Sequence, residues 1–129
     1  MNKYTGTFQI TLRGEEYTLR PSFEALVEFE ERTGKAVNEA FREMLDGKMS
    51  FKTVTAAIWA GIKGEAVWQN NPGMEKKFNV VGEMIKKDGL QNHVASASQF
   101  FTMALIPEED QKKLMEEGDS EAPVSKKNI

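Results

Sequence analysis

The stretch Arg20–Gly34 reads RPSFEALVEFEERTG and carries signals for both ends of a helix. Pro21 cannot extend a helix backwards, and the Ser22 hydroxyl can accept a hydrogen bond from the free amides of a first helical turn. Gly34 can adopt the left-handed conformation that closes a last turn. The sequence therefore predicts one helix between Ser22 and Gly34, and we expect the rest of the fold to be organised around it.

One residue interrupts the amphipathic pattern of this predicted helix. At about 100° per residue, the apolar side chains share one broad arc. They are Phe23, Ala25, Leu26, Val27 and Phe29. Glu30 projects onto the same arc, where an unpaired carboxylate would be costly to desolvate. We expect Glu30 to be buried and paired with Arg20, with the neighbourhood of Arg32, with a threonine hydroxyl or with free backbone amides. A role in binding a partner is the alternative for Glu30.

Two short β-type segments precede the helix. Residues Thr7–Leu12 alternate polar and apolar side chains, and the alternation resumes at Tyr17–Leu19 after a segment that contains Gly14. This pattern predicts a β-hairpin with a glycine-containing turn and an apolar face towards the following helix. That face consists of Phe8, Ile10 and Leu12. A lone hairpin is marginally stable, so it must lie on the helical core or pair with another chain. Its free edges are a candidate partner surface and allow weak self-association.

The apolar pattern after Gly34 predicts further helices, to give a bundle of about five. The second has an apolar side of Val37, Ala40, Phe41, Met44 and Leu45. Ser50 begins the third, whose stripe consists of Phe51, Val54, Ala57, Ile58, Gly61 and Ile62. We place the main break of the helical region at Gly64–Gly73, because Asn-Asn-Pro-Gly is strong turn chemistry. The fourth helix ends at Asp88–Gly89. The fifth, with a face of Leu90, Val94, Ala97, Phe101, Ala104 and Leu105, ends at Pro107, which begins a short last helix.

These elements define a mainly helical α+β fold, with an N-terminal β-hairpin packed on the helical bundle. A chain of 129 residues has room for a single core. We assign residues 1–117 to one hairpin-plus-helical domain. Residues 118–129 have too little apolar content to fold, so we expect a flexible C-terminal tail.

Composition argues against several functions. The net charge of −3 disfavours nucleic acid as a partner, because phosphate binding needs a concentrated cationic face. No apolar run approaches the roughly 20 residues of a membrane span, so we expect no membrane partner. The chain has no cysteine and one histidine, His93, which leaves few ligands for a metal. His93 is expected to be a flank or core histidine. No nucleophile, metal or phosphate-binding motif accompanies the carboxylates, so we expect no enzyme, no catalytic residue and no cofactor.

The aromatic residues near the middle of the chain are better candidates for partner binding. Val67 and Trp68 lie just before the turn-rich segment, and a tryptophan near a loop can bury a large area with few rotatable bonds. The alternative is that both residues close the core between the two helical halves. Trp59 lies on the margin of the third apolar stripe. Together with Glu30, these three residues are the predicted partner-binding set.

The order of these features resembles the tail assembly chaperones of long-tailed bacteriophages, in the branch shared with gene transfer agents. The matching positions are Gly14, Tyr17, Leu19, Arg20, Ser22, Phe23, Ala25, Leu26, Phe29, Glu30, Thr33 and Gly34, and later the segment Ala57–Gly61. The resemblance covers roughly the first half of the chain, and no catalytic residue defines it.

The resemblance implies a non-enzymatic chaperone that binds the phage tape-measure protein and recruits subunits of the major tail-tube protein. It implies a location in the host bacterial cytoplasm and absence from the mature virion. It also implies that a longer, frameshifted product can exist, and Lys126–Asn128 can be encoded by a nearly unbroken run of adenines. The alternative function is a permanent structural subunit of the tail or of the head-tail joint.

Overall fold

The computed structural model describes residues 5–113 of the chain, which fold as a hairpin followed by helices. The strands are β1 (Phe8–Leu12) and β2 (Glu15–Leu19), and the helices are α1 (Phe23–Thr33), α2 (Val37–Leu45), α3 (Phe51–Trp68), α4 (Phe78–Asp88) and α5 (Val94–Leu105). Short 3₁₀ segments occupy Pro72–Met74 and Leu90–His93. A last helical segment occupies residues 108–113. The predicted mainly helical α+β fold is confirmed, and the predicted tail at 118–129 lies outside the described residues.

The hairpin turns within two residues. Arg13 and Gly14 both have positive φ, 54° and 83°, as a type I′ turn requires. The strands therefore pair directly from the turn, with Leu12 opposite Glu15 and Phe8 opposite Leu19. The turn is tighter than the sequence pattern suggested, because Glu15 already belongs to β2.

The apolar face of the hairpin is buried, but it does not lie mainly on the next helix in the chain. Phe8, Ile10 and Leu12 belong to the core, as predicted. However, β2 packs on α3 and β1 contacts α4, so the expectation of packing on α1 is wrong. The glycines of α3 explain this, because they let the backbone of the hairpin approach that helix closely.

The central element is α3, and not α1 as the sequence suggested. Helix α3 contacts β2, α1, α4 and α5, and almost every residue between Thr53 and Ala66 is buried. Many of these residues are alanine or glycine, whose small side chains allow neighbours on all sides. The predicted break at Gly64 is also wrong, since α3 continues to Trp68. The chain leaves the helix only at Asn70, which has a positive φ of 53°.

Both predicted ends of α1 are confirmed. The Ser22 hydroxyl accepts a hydrogen bond from the Ala25 amide at 3.2 Å, and Gly34 closes the helix in the left-handed conformation with φ of 69°. Ala25 and Phe29, one turn apart, form the buried side of the helix. Phe29 packs edge-on against Phe101 of α5, with ring centroids 5.2 Å apart.

Four apolar residues predicted on buried faces are exposed, and each is the first or last residue of its helix. They are Phe23 at 79%, Leu45 at 66%, Phe51 at 39% and Leu105 at 40% exposure. Helical spacing assigns these residues to an apolar arc, but spacing does not show where the neighbouring elements end. At the end of a helix a side chain has fewer neighbours to cover it, and these four side chains remain in solvent.

Candidate partner-binding surface

The end of β2 lies in close contact with α3, and the candidate partner-binding surface is built around this contact. The Arg20 amide donates to the Gly61 carbonyl oxygen at 2.9 Å. A Cβ at Gly61 would stand 2.7 Å from the Leu19 side chain, and one at Gly64 would overlap the Arg20 carbonyl oxygen. Glycine at both positions therefore allows β2 to lie directly on α3.

A buried ion pair also joins the end of β2 to α3. The Arg20 Nε donates to the Glu65 Oε1 at 2.8 Å, and the two side chains are only 15% and 6% exposed. The side-chain Nε2 of Gln69 donates to the other carboxylate oxygen of Glu65, Oε2, at 2.7 Å. Because both carboxylate oxygens are hydrogen-bonded, the cost of burying this charge is offset by good geometry.

Trp68 lies on the outer side of this ion pair. The guanidinium carbon of Arg20 stands 4.0 Å from the centroid of the Trp68 ring, which is a close cation–π contact. Trp68 nevertheless remains 68% exposed, and the neighbouring Val67 is 41% exposed. Arg20 thus supports one face of the ring while most of the side chain stays accessible to a partner.

Phe23 lies at the same end of the molecule. Helices α1 and α3 run antiparallel, because Ala25 approaches Gly64 near the start of α1 while Arg32 stands over Trp59 near its end. The exposed Phe23 therefore belongs to the end of the helix pair that carries Val67 and Trp68. We call these three residues the Trp68 end.

Trp59 occupies the opposite face of α3. It precedes Trp68 by nine positions, which corresponds to half a rotation at about 100° per residue. Its ring packs edge-on against Phe78 of α4, with centroids 5.7 Å apart. The guanidinium of Arg32 stands 4.2 Å from the Phe78 centroid and 5.5 Å from the Trp59 centroid. A cleft of about 470 Å³ runs beside these three residues and the start of α4.

Glu30 makes its hydrogen bond to the start of α2. Its Oε2 accepts a hydrogen bond from the Val37 amide at 2.9 Å, in the first turn of α2. Ala36, the residue before this turn, has no side chain that could cap it. Of the partners predicted for Glu30, free backbone amides are the ones it uses. The prediction that Glu30 is buried is wrong, because the side chain reaches α2 from an exposed position.

The structure therefore joins only two of the four predicted partner-binding residues. Val67 and Trp68 lie together, and the alternative that they close the core is wrong, because both are exposed. The exposure of Phe23 and the supporting role of Arg20 did not emerge from the sequence pattern. The sequence does hold a signal that Trp68 lies beside the ion pair of Arg20. Glu65 and Trp68 are three positions apart, and residues at this spacing share a helix face. A helix that breaks at Gly64 would not place these two residues on one face.

A separate cluster ties the hairpin turn to α4. Asp88 accepts hydrogen bonds from the Arg13 amide at 3.0 Å and from its guanidinium at 3.3 Å, and it contacts His93 Nε2 at 2.8 Å. The pKa of Asp88 is lowered, first by the Arg13 amide and then by His93. His93 is buried, as the prediction of a flank or core histidine allowed. This cluster accounts for His93 without a metal.

Residues 5–113 contain no group of three or more carboxylates and histidines arranged to hold a metal ion. None of the helices in this range combines the length and the apolar character needed to cross a membrane.

A family model described as "Phage tail tube protein, GTA-gp10" matches residues 5–102. The helical fold and its exposed aromatic end thus belong to a protein related to phage tails. The chain is a member of this family, since the match covers most of its length. No curated protein and no solved structure matches the chain. The resemblance to phage tail proteins is confirmed, but the family description names a tail tube protein and not a chaperone.

Proposed function

We propose that the chain is a non-enzymatic tail assembly chaperone, which binds the tape-measure protein through the Trp68 end and recruits subunits of the major tail-tube protein. It acts in the host bacterial cytoplasm and leaves before the virion is complete. The single observation that carries the proposal is Trp68, which is exposed although its ring is held in place by Arg20. A large side chain in a fixed position loses little entropy when a partner covers it.

The neighbours of Trp68 fit an apolar helical client. Phe23 and Val67 extend the exposed apolar surface at the same end of the molecule. Amphipathic or apolar helices commonly bind to such surfaces by laying several side chains against one apolar area. A tape-measure protein, with its long apolar helices, would expose such side chains until the tube has formed around it.

The distribution of exposed apolar residues favours a transient partner over a permanent one. Obligate interfaces usually bury more than about 2,000 Å² and resemble a core cut in half. Among residues 5–113, the large exposed hydrophobic residues outside the Trp68 end are Leu45, Phe51, Val80 and Leu105. Leu45 and Phe51 flank the connection between α2 and α3, Val80 lies in α4 and Leu105 ends α5. Four such side chains give little apolar area for a permanent contact.

A permanent structural subunit of the tail is the second candidate function. The family description, which names a tail tube protein, favours this alternative. A tube subunit would use the Trp68 end to contact its neighbours in the particle, and would remain there.

Two measurements separate the candidates. Co-expression with the tape-measure protein of the same phage should raise the soluble yield of that protein and give a complex that co-purifies. Mass spectrometry of purified particles should then detect no copies of the chain. Failure of the tape-measure protein to co-purify would contradict the chaperone proposal. Detection in particles at a copy number similar to that of known tail proteins would favour the structural subunit.

A further inference from the structure

We propose that the outer edge of β2 is a second binding site, which takes an extended, basic segment of another tail protein as an added strand. This site is separate from the Trp68 end. It depends on the proposed function only for the class of partner, because both candidate functions require contact with other tail proteins.

The backbone of β2 has unused hydrogen-bonding groups along this edge. In a hairpin with a two-residue turn, the pair next to the turn is hydrogen-bonded and the pairs then alternate. Counting from Leu12 and Glu15, the residues Glu16 and Thr18 fall in non-hydrogen-bonded pairs. Their N–H and C=O groups therefore point away from β1. No other backbone group among residues 5–113 bonds to them.

A cleft beside the edge can receive side chains of the added strand. It has a volume of about 400 Å³, and Tyr17, Ile62 and Met74 are among its lining residues. Side chains alternate between the two faces of a strand, so Tyr17 lies on the same face as the buried Leu19. Every second side chain of an added strand would enter this cleft. Backbone pairing combined with pockets for alternate side chains is how proteins bind peptides by strand addition.

The charges around the cleft favour a basic segment. Glu15 and Glu16 lie on the edge strand and are exposed. The third carboxylate at the cleft, Glu65, is already paired with Arg20. The one lysine that lines the cleft, Lys76, has its Nζ 5.8 Å from the Tyr17 ring centroid, so a single ammonium group faces the two exposed glutamates of the edge strand. A lysine or arginine next to β2 would form an opposite-charge cross-strand contact, whereas two copies of this acidic edge would repel each other.

The test compares two proline substitutions that block opposite edges of the same hairpin. Thr18→Pro removes an outward N–H from β2, and Gln9→Pro removes an outward N–H from β1, because Gln9 pairs with Thr18. Both substitutions also remove the side-chain hydrogen bond between Thr18 and Gln9. The two variants therefore lose the same interaction within the hairpin and differ in the edge they block. Glu16→Lys is a third variant, which reverses an exposed charge and leaves all backbone groups in place.

The probes are overlapping peptides that cover the tape-measure protein and the major tail-tube protein of the same phage. Binding is followed by the amide resonances of ¹⁵N-labelled protein. We expect a peptide with lysine or arginine to shift the amides of Glu16 and Thr18. Loss of one strand hydrogen bond should weaken this binding up to about tenfold in Thr18→Pro, while Gln9→Pro stays within about twofold. Glu16→Lys should also weaken it.

Three results would overturn the β2 site. In the first, no peptide shifts the Glu16 and Thr18 amides. In the second, neither Thr18→Pro nor Glu16→Lys binds more weakly than Gln9→Pro. In the third, the shifts appear on raising the concentration of the protein alone, which would identify a second copy as the occupant. The variant Trp68→Ala should leave peptide binding at β2 unchanged. Failure of the tape-measure protein to co-purify would therefore contradict the chaperone proposal without contradicting this site.

Discussion

The two tryptophans of α3 lie on opposite faces of one helix and have different surroundings. Trp59 is partly buried against the Phe78 ring, with Arg32 beside both aromatic residues. Trp68 rests on Arg20, and it remains 68% exposed. On the Trp59 face, the aromatic side chain itself joins two helices. On the Trp68 face, glycines and a buried ion pair make the internal contact, so the tryptophan is left available for a partner.

The largest expected effect concerns the ion pair on the Trp68 face. Arg20→Met leaves the buried Glu65 carboxylate without its cation, and breaking such a pair costs about 3–5 kcal/mol. Urea unfolding should therefore show a much lower midpoint. The control is Arg13→Met, because the Arg13 side chain is 50% exposed in its pair with Asp88. That solvent-screened ion pair should contribute much less to stability. An equal loss of unfolding free energy in the two variants would show that the buried Arg20 ion pair stabilises the fold no more than the exposed Arg13 ion pair.

The next effect concerns the close approach of β2 to α3. Gly64→Ala forces the Arg20 carbonyl oxygen to move, and overpacking of this kind costs about 1–3 kcal/mol. Gly82→Ala in α4 is the matched control, because its Cβ would make an ordinary 3.6 Å contact with Thr55. Replacing that helical glycine should stabilise the protein by about 0.5–1 kcal/mol. Thermal or urea unfolding measures both changes. A neutral Gly64→Ala would contradict the packing described for the Trp68 face.

The two tryptophans should also differ in their contribution to stability. Trp59→Ala removes a partly buried aromatic contact and should cost about 2 kcal/mol, less than the loss of a fully buried tryptophan. Trp68→Ala should cost less than about 1 kcal/mol, the value of an exposed cation–π contact. Unfolding midpoints of the two variants check this order. A larger loss for Trp68→Ala would mean that Trp68, too, is mainly structural.

The smallest effect lies away from both tryptophans and depends on pH. The pKa of Asp88 is lowered in the folded state, so its contribution to stability is present above the unfolded pKa of about 3.8. That contribution is lost as pH falls through the lower folded pKa. The difference in unfolding free energy between wild type and Asp88→Asn should therefore be larger at pH 6 than at pH 3. An equal difference at both pH values would show that the Asp88 charge does not stabilise the fold.

Local signals in the sequence were sufficient for much of the fold. The ends of α1 depend on Ser22 and Gly34, whose effects operate within one turn of the helix, and the hairpin turn depends on Gly14. These interactions are short-range, so the sequence alone predicts them. The end of α3 was misplaced because Gly64 has a tertiary role: it allows the Arg20 carbonyl oxygen to approach, and it does not end the helix.

The candidate site depended more on tertiary contacts. The helical spacing of α1 assigns both Phe23 and Glu30 to the apolar arc. In the structure α1 buries Ala25 and Phe29, whereas Phe23 is 79% exposed. No pattern within α1 shows that its first residue is left uncovered by the other elements. In the same way, the partner of Glu30 is the start of α2, which depends on how the chain turns after Gly34. The exposure of Trp68 and its contact with Arg20 could be found only from the folded structure.

The central claim is that the Trp68 face binds a partner and the Trp59 face holds the fold together. The most direct test measures binding of the tape-measure protein of the same phage to Trp68→Ala and to Trp59→Phe, a substitution that keeps an aromatic ring against Phe78. Truncation of an anchoring tryptophan typically costs at least about 2 kcal/mol, so Trp68→Ala should bind about 30-fold more weakly. Trp59→Phe should bind like wild type. Unchanged binding by Trp68→Ala, with both variants folded, would contradict the claim.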